Sequence, residues 1–267
     1  HGCSRRQRQM CIRDRVKNTI KNFTIFKPKT KDELQEVVDL WCDNKIEALT
    51  KYGDISLWDT SLITDMSRLF FRKQLFNSDI SNWDVSNVTD MNNMFHCCSL
   101  FFNQDLNNWD VSNVTTMEQM FCGCEKFNQS LNNWNVSKVQ NMNYMFTNCF
   151  DFNQPLNNWN VSKVIDMEFM FFDCVNFNQS LNNWNVSNVK EMDSMFVGCE
   201  KFNQPLNNWD VSNVTDMRNM FGRCKNFNQD LNNWNVSNIT DMTKMFERCR
   251  NFNQDLNNWN VSNVETM

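Results

Sequence analysis

The sequence predicts an α/β solenoid, a stack of coils each built from a short strand and a short helix, closed at its N-terminal end by a helical cap. Three observations carry this. Tryptophans at 58, 83, 109, 134, 159, 184, 209, 234 and 259 recur every 25 residues, with one interval of 26; a fixed period in this range marks a repeat architecture before local propensities are consulted. Within each repeat two apolar periods coexist. A lone repeat is too poor in apolar side chains to fold by itself.

In the unit WDVSNVTTMEQMFCGCEKFNQSLNN, which starts at Trp109, the apolar members are Trp109, Val111, Val114, Met117, Met120, Phe121, Cys124, Phe127 and Leu131. Met117, Met120, Phe121 and Cys124 follow the i, i+3, i+4, i+7 spacing of a short amphipathic helix. Trp109 with Val111, and Phe127, Gln129 and Leu131, alternate as in short extended segments. Seven residues after the tryptophan stand Asp65, Asp90, Thr116, Asn141, Asp166, Glu191, Asp216, Asp241 and Thr266, and all but Glu191 are good helix N-caps. Asn132 and Asn133 tolerate left-handed backbone and mark a corner. Fixing 25 residues costs about 1–2 kcal/mol each in backbone entropy, so the units must stack and bury their apolar faces on one another. The extra residue between Trp83 and Trp109 falls in CSLFFNQ, between Cys98 and Phe102, and predicts a local bulge.

This divides the chain into three parts. Residues 1–15, HGCSRRQRQMCIRDR, share no pattern with the rest and are read as a non-native leader. Residues 16–57 form the capping element: an extended FTIF, a turn at Pro28, a capping box at Thr30 and Glu33, then Leu34, Val37, Val38 and Trp41 at helical spacing, with Gly53 as a stop. Residues 58–267 hold eight complete repeats and a truncated ninth; Lys73 replaces cysteine in the first, as suits an end unit, and Met267 falls inside the ninth predicted helix, which predicts a longer natural chain.

The pattern WDVSNVTDM..MF..C..FNQ.LNN, taken from units such as Trp209 to Asn233, resembles the BspA-like leucine-rich-repeat surface proteins over residues 58–267. The resemblance implies a leucine-rich-repeat-like fold. It also implies cell-surface adhesion or protein binding, a surface or secreted location although no signal peptide is visible, and no catalytic residues.

The side-chain inventory points away from catalysis. Only His1 and His96 are present, and no nucleophile, base and orienting group can be assembled. No catalytic residue, cofactor or metal site is therefore expected. The net charge is −5, and Arg5, Arg6, Arg8, Arg13 and Arg15 against Asp14 put +4 in the first fifteen residues, leaving −9 on the remainder. That balance gives no support for a phosphate-binding face, which needs clustered Lys and Arg, and no nucleic-acid partner is expected. No apolar run is long enough to span a bilayer.

Cys98, Cys124, Cys149, Cys174, Cys199, Cys224 and Cys249 share one repeat position and read as small buried hydrophobes. Cys97 and Cys122 add thiols beside Cys98 and Cys124, where a disulfide or metal is the alternative, but zinc-ligand spacing is lacking. Constant residues such as Asn128 and Gln129 read as ladders that satisfy neighbouring coils. Sequons such as Asn113 and Asn135 arise from copying the motif. Selectivity belongs where copies differ, nine and ten residues after each tryptophan and just beyond. There, Tyr144, Phe169, Phe172 and Phe150 form a candidate partner surface of aromatics on adjacent coils. The function expected is a non-catalytic scaffold for adhesion or protein–protein interaction; the alternative is a structural spacer or stalk, or an intracellular interaction scaffold with no selective face.

Overall fold

The computed structural model describes residues 25–267; the leader expected over residues 1–15 lies outside the described residues. Two helices open it, α1 (Lys31–Asp43) and α2 (Lys45–Tyr52). Thr30 caps α1, its hydroxyl accepting from Glu33 N at 3.2 Å; Asn44 caps α2 and Gly53, at φ 76°, ends it. Leu34, Val37, Val38 and Trp41 are buried. The Trp41 ring meets Trp58 of the first coil edge-on at 5.8 Å, and Trp41 Nε1 donates to Ser78 Oγ at 2.9 Å. Lys73, where later coils carry cysteine, pairs with Asp39 of α1 at 2.9 Å.

Every following coil lies directly on the one before. Parallel bridges join Asp65 to Asp90, Asp90 to Thr116, Thr116 to Asn141 and so on to Asp241 with Thr266. Like residues therefore form columns. Trp134 and Trp159 stack at 6.4 Å with ring planes at 0°, and Phe121, Phe146 and Phe171 at 5.7 Å per step. Each column tryptophan from Trp83 to Trp259 donates Nε1 to a backbone carbonyl of the preceding turn of the stack, as Trp134 does to Leu106 O at 2.8 Å; Trp58 Nε1 has no partner among the described residues. Each column thiol does likewise, Cys124 Sγ to Phe95 O at 3.0 Å. Burial pushes the Cys124 and Cys149 thiols well above their ordinary pKa.

The expected strand plus helix per repeat is not found. Among the described residues, α1, α2 and the 3₁₀ turn Ile55–Leu57 are the regular elements, all of them before the first repeat, and the coils contain single bridges in place of strands. The reason lies in where the amides go. From Met117 to Cys124, alternate amides leave the coil: Met117 N donates to Asn141 O, Gln119 N to Asn143 O, Phe121 N to Met145 O and Gly123 N to Thr147 O. Of the intervening ones, Glu118 N donates to Asn92 Oδ1 at 3.1 Å and the rest close tight turns, Met120 N to Met117 O, Cys122 N to Gln119 O and Cys124 N to Phe121 O. Gln119 and Gly123 are left-handed, at φ 54° and 74°, which interrupts any α-helix. Two successive turns put the same residues inward that a helix would, so the i, i+3, i+4, i+7 pattern fits both.

The short side chains read as N-caps instead close turns two residues long, as Asn141 Oδ1 accepts from Asn143 N at 2.9 Å and Asp216 Oδ1 from Arg218 N at 2.9 Å. In the segments expected to be strands, side chains replace the backbone ladder. Asn103 Oδ1 accepts from Asn128 N, and Asn128 Oδ1 from Asn153 N, each at 2.9 Å; Asn113 Nδ2 donates to Ser86 O at 2.8 Å. These are the ladders that the constant asparagines imply. The one-residue insertion is taken up at the surface, where Leu100 and Phe101 are exposed while Phe102 keeps its place in the buried column.

Candidate functional site

With the constant positions committed to the core and the ladders, the face that varies comprises the positions 9, 10, 13 and 14 residues after each tryptophan. The tenth and fourteenth are left-handed in every coil from Arg68 and Arg72 to Lys244 and Arg248. Asn, Asp and Gly suit that conformation, and Asn93, Asn219, Asn148, Asp173, Gly123 and Gly198 occupy it.

Tyr144 and Phe169 do not suit it, yet they hold φ at 54° and 53°. Their rings stack at 4.6 Å and 6°, and Phe172 meets Phe169 at 5.4 Å with a 37° tilt. All three are half-buried. The structure thus brings together three of the four aromatics expected to form a surface. Phe150 stands apart: it is exposed, follows the buried Cys149, and makes no ring contact with the other three.

The surroundings are acidic. Glu168 and Asp193 flank the rings in register, because Tyr144 N donates to Glu168 O at 2.8 Å and Phe169 N to Asp193 O at 3.1 Å. Burial raises the Asp193 carboxyl to about 7, with Glu168 and Asp216 adding to the rise. Glu168 is raised by burial and then by Asp166 and Glu191. The Tyr144 hydroxyl is pushed up to about 12, first by burial and then by Glu168. Arg218 binds Asp216, Nη2 to Oδ2 at 2.7 Å.

A cation from the chain itself already uses this kind of surface. Arg223 pairs with Asp173 at 2.8 Å, two coils away, and its guanidinium lies 5.7 Å from the Phe172 ring. Gly198 lies between them and clears the path, since a Cβ there would lie 1.9 Å from Asp173 Oδ1. The sequence places Asp193 on the variable face, nine residues after Trp184, without giving it a role; sequence reasoning missed Arg223, Asp173 and Gly198, and writing the repeats in register would have aligned these three in one column.

Cys97, Cys98, Cys122 and Cys124 are all free. Among the described residues no three carboxylate, thiol or imidazole side chains converge as metal ligands, and no helix is long and apolar enough to cross a membrane.

The family described as "Mycoplasma protein of unknown function, DUF285" matches over residues 42–149, 98–200 and 167–267. The chain belongs to that family. The three overlapping matches span the coils and agree with a repeat protein; they do not single out the leucine-rich-repeat surface proteins that the motif resembles. No curated protein and no solved structure matches the chain.

Proposed function

We propose that this DUF285 chain is a non-catalytic interaction scaffold whose selective surface is the strip Tyr144, Phe169 and Phe172. The observation that carries the reading is the pair of stacked aromatics at left-handed positions. A residue other than Gly or Asn pays about 1–2 kcal/mol there, and the other coils hold the same conformation with polar residues, Arg68, Asn93, Gln119, Ser194, Asn219 and Lys244. The stack does not need aromatics at this position, so a role outside the fold is what would keep them. Half-exposed aromatics on a rigid scaffold are the usual anchors of protein interfaces.

The setting we propose is adhesion at a cell surface, supported by the likeness of the repeat motif to BspA-like surface proteins. A spacer or an intracellular scaffold with no selective face is the competing reading. The test is a binding screen of the chain against immobilised host and extracellular-matrix proteins, repeated with Tyr144→Ser and Phe169→Ser combined. A partner retained by the parent chain and lost by the variant is the expected result. No partner, or a partner held equally by both, would leave the spacer as the better account.

A further inference from the structure

We infer that the occupant of this strip is a cationic segment of a partner protein, a lysine- or arginine-bearing peptide whose charged head sits between the Tyr144–Phe169 rings and the carboxylates of Glu168 and Asp193. The inference rests on the interaction reading above and names the chemistry of its partner. Three features of the strip converge on it.

The first is an acceptor without a donor. Asp193 is only 7 % exposed, and among the described residues no hydrogen-bond donor reaches its carboxylate. It faces Glu168, Glu191 and Asp216. The nearby cation, Arg218, is held by Asp216 through Nε at 2.7 Å and Nη2 at 2.7 Å. One coil before Glu168 in the same column, Asn143 Oδ1 is buried with no partner, its amide nitrogen having gone to Asp166 at 3.0 Å. Asn143, Glu168 and Asp193 therefore present oxygens on three successive coils, and the buried one, Asn143 Oδ1, is costly until a donor arrives.

The second is the aromatic wall. Tyr144 and Phe169 cover each other's facing sides, stacked at 4.6 Å; the outer face of such a pair carries negative quadrupole density, which attracts ammonium and guanidinium groups within about 6 Å of the centroid. A small hard cation gains little from such faces, whereas a lysine or arginine side chain gains from both the ring and the carboxylate. Its aliphatic stem would also cover the half-exposed ring edges.

The third is internal precedent. On the same face, Arg223 already pairs one carboxylate, Asp173, while lying over one ring, Phe172. At the opposite end, Arg68 lies 4.0 Å from the centroid of Phe71. The Tyr144–Glu168–Phe169–Asp193 cluster repeats this ring-and-carboxylate arrangement, and the cation beside it, Arg218, is bound to Asp216.

The experiment is fluorescence anisotropy of the full chain with a labelled peptide of alternating Gly and Arg or Lys, and with its Gly/Glu counterpart as reference. Asp193→Asn is the strip variant, a residue found in that column at Asn92 and Asn143. Asp230→Asn removes the same charge from an exposed position off the strip. We expect the basic peptide to bind, Asp193→Asn and the Tyr144→Asn/Phe169→Asn pair each to weaken it at least about tenfold, and Asp230→Asn to leave it within about twofold. Equal weakening by Asp193→Asn and Asp230→Asn would reduce the binding to general attraction by an acidic protein and overturn the inference. A basic peptide that does not bind, while a screened partner is still lost on substituting Tyr144 and Phe169, would overturn the cationic inference and leave the interaction reading standing.

Discussion

Replacing Phe146 by alanine should separate a stack held by its columns from a set of independent turns. Phe146 is fully buried; its ring lies 5.7 Å from both Phe121 and Phe171, 4.3 Å from Phe152 and 6.3 Å from Trp159. Truncation removes a ring packed on both sides by rings of the adjoining coils, and such changes cost about 3–5 kcal/mol. Phe246, the equivalent residue in the last coil to carry this phenylalanine here, has a column neighbour on one side, Phe221 at 5.7 Å, and is itself partly exposed. Its truncation should cost roughly half as much, about 1.5–2.5 kcal/mol. Urea unfolding followed by tryptophan fluorescence reads both, since every coil carries a tryptophan in contact with its neighbours. The central substitution should also broaden the transition, because it weakens the coupling between the two halves of a nearest-neighbour array. A loss below about 1 kcal/mol for Phe146→Ala, or equal losses at the two positions, would refute the idea that column packing between coils holds the chain together.

Three further outcomes follow from particular contacts. Asn128→Ala removes an acceptor from Asn153 N at 2.9 Å and from Gln154 Nε2 at 3.1 Å, and should cost about 1–3 kcal/mol in the same unfolding experiment; a neutral result would remove the asparagine ladder from the account. Gly198→Ala must place a Cβ at φ 73° against Asp173 Oδ1, so it should destabilise by about 1–2 kcal/mol more than Gly222→Ala, whose backbone is not left-handed, and a comparison of urea midpoints decides. Asp193 binds its proton more tightly in the folded chain, to about 7, than the about 3.9 of an unfolded aspartate; its charging therefore opposes folding as pH rises from 5 to 8. Stability should fall across that interval, with Glu168, Glu191 and Asp173 contributing in the same direction, and Asp193→Asn should flatten the slope; a parent chain that gains stability from pH 5 to 8 would contradict this.

The sequence made the register legible and the local geometry illegible, for one physical reason. A period of 25 residues fixes which residues lie above one another, so the tryptophan, phenylalanine, cysteine and asparagine columns could be read directly. It does not fix how the chain turns within a period. Met117, Met120, Phe121 and Cys124 point inward whether their backbone is helical or doubles back twice, and Asp or Asn caps a helix and closes a two-residue turn through the same oxygen. The clue that separates the two is the column 14 residues after the tryptophan, where Gly123, Asn148, Asp173 and Gly198 follow one another on four successive coils. Glycine at 123 and 198 inside a supposed helix already argued for left-handed backbone. In the candidate site, Tyr144, Phe169 and Phe172 were legible because they depart from their columns. Phe150 departs from its own column too, but it lies beyond the second turn, and the distinction depends on geometry that the wrong local structure concealed.

The central claim is that the Tyr144–Phe169 pair is kept for something other than the fold, and unfolding of the Tyr144→Asn/Phe169→Asn chain tests it most directly. Asparagine relieves about 1–2 kcal/mol of left-handed strain at each position, while loss of the stacked pair gives up about 0.5–1.5 kcal/mol together with some half-buried apolar surface. The variant should unfold in urea within about 1 kcal/mol of the parent chain or above it. A loss of about 3 kcal/mol or more, the size expected for a core phenylalanine, would make the pair part of the core and contradict the account.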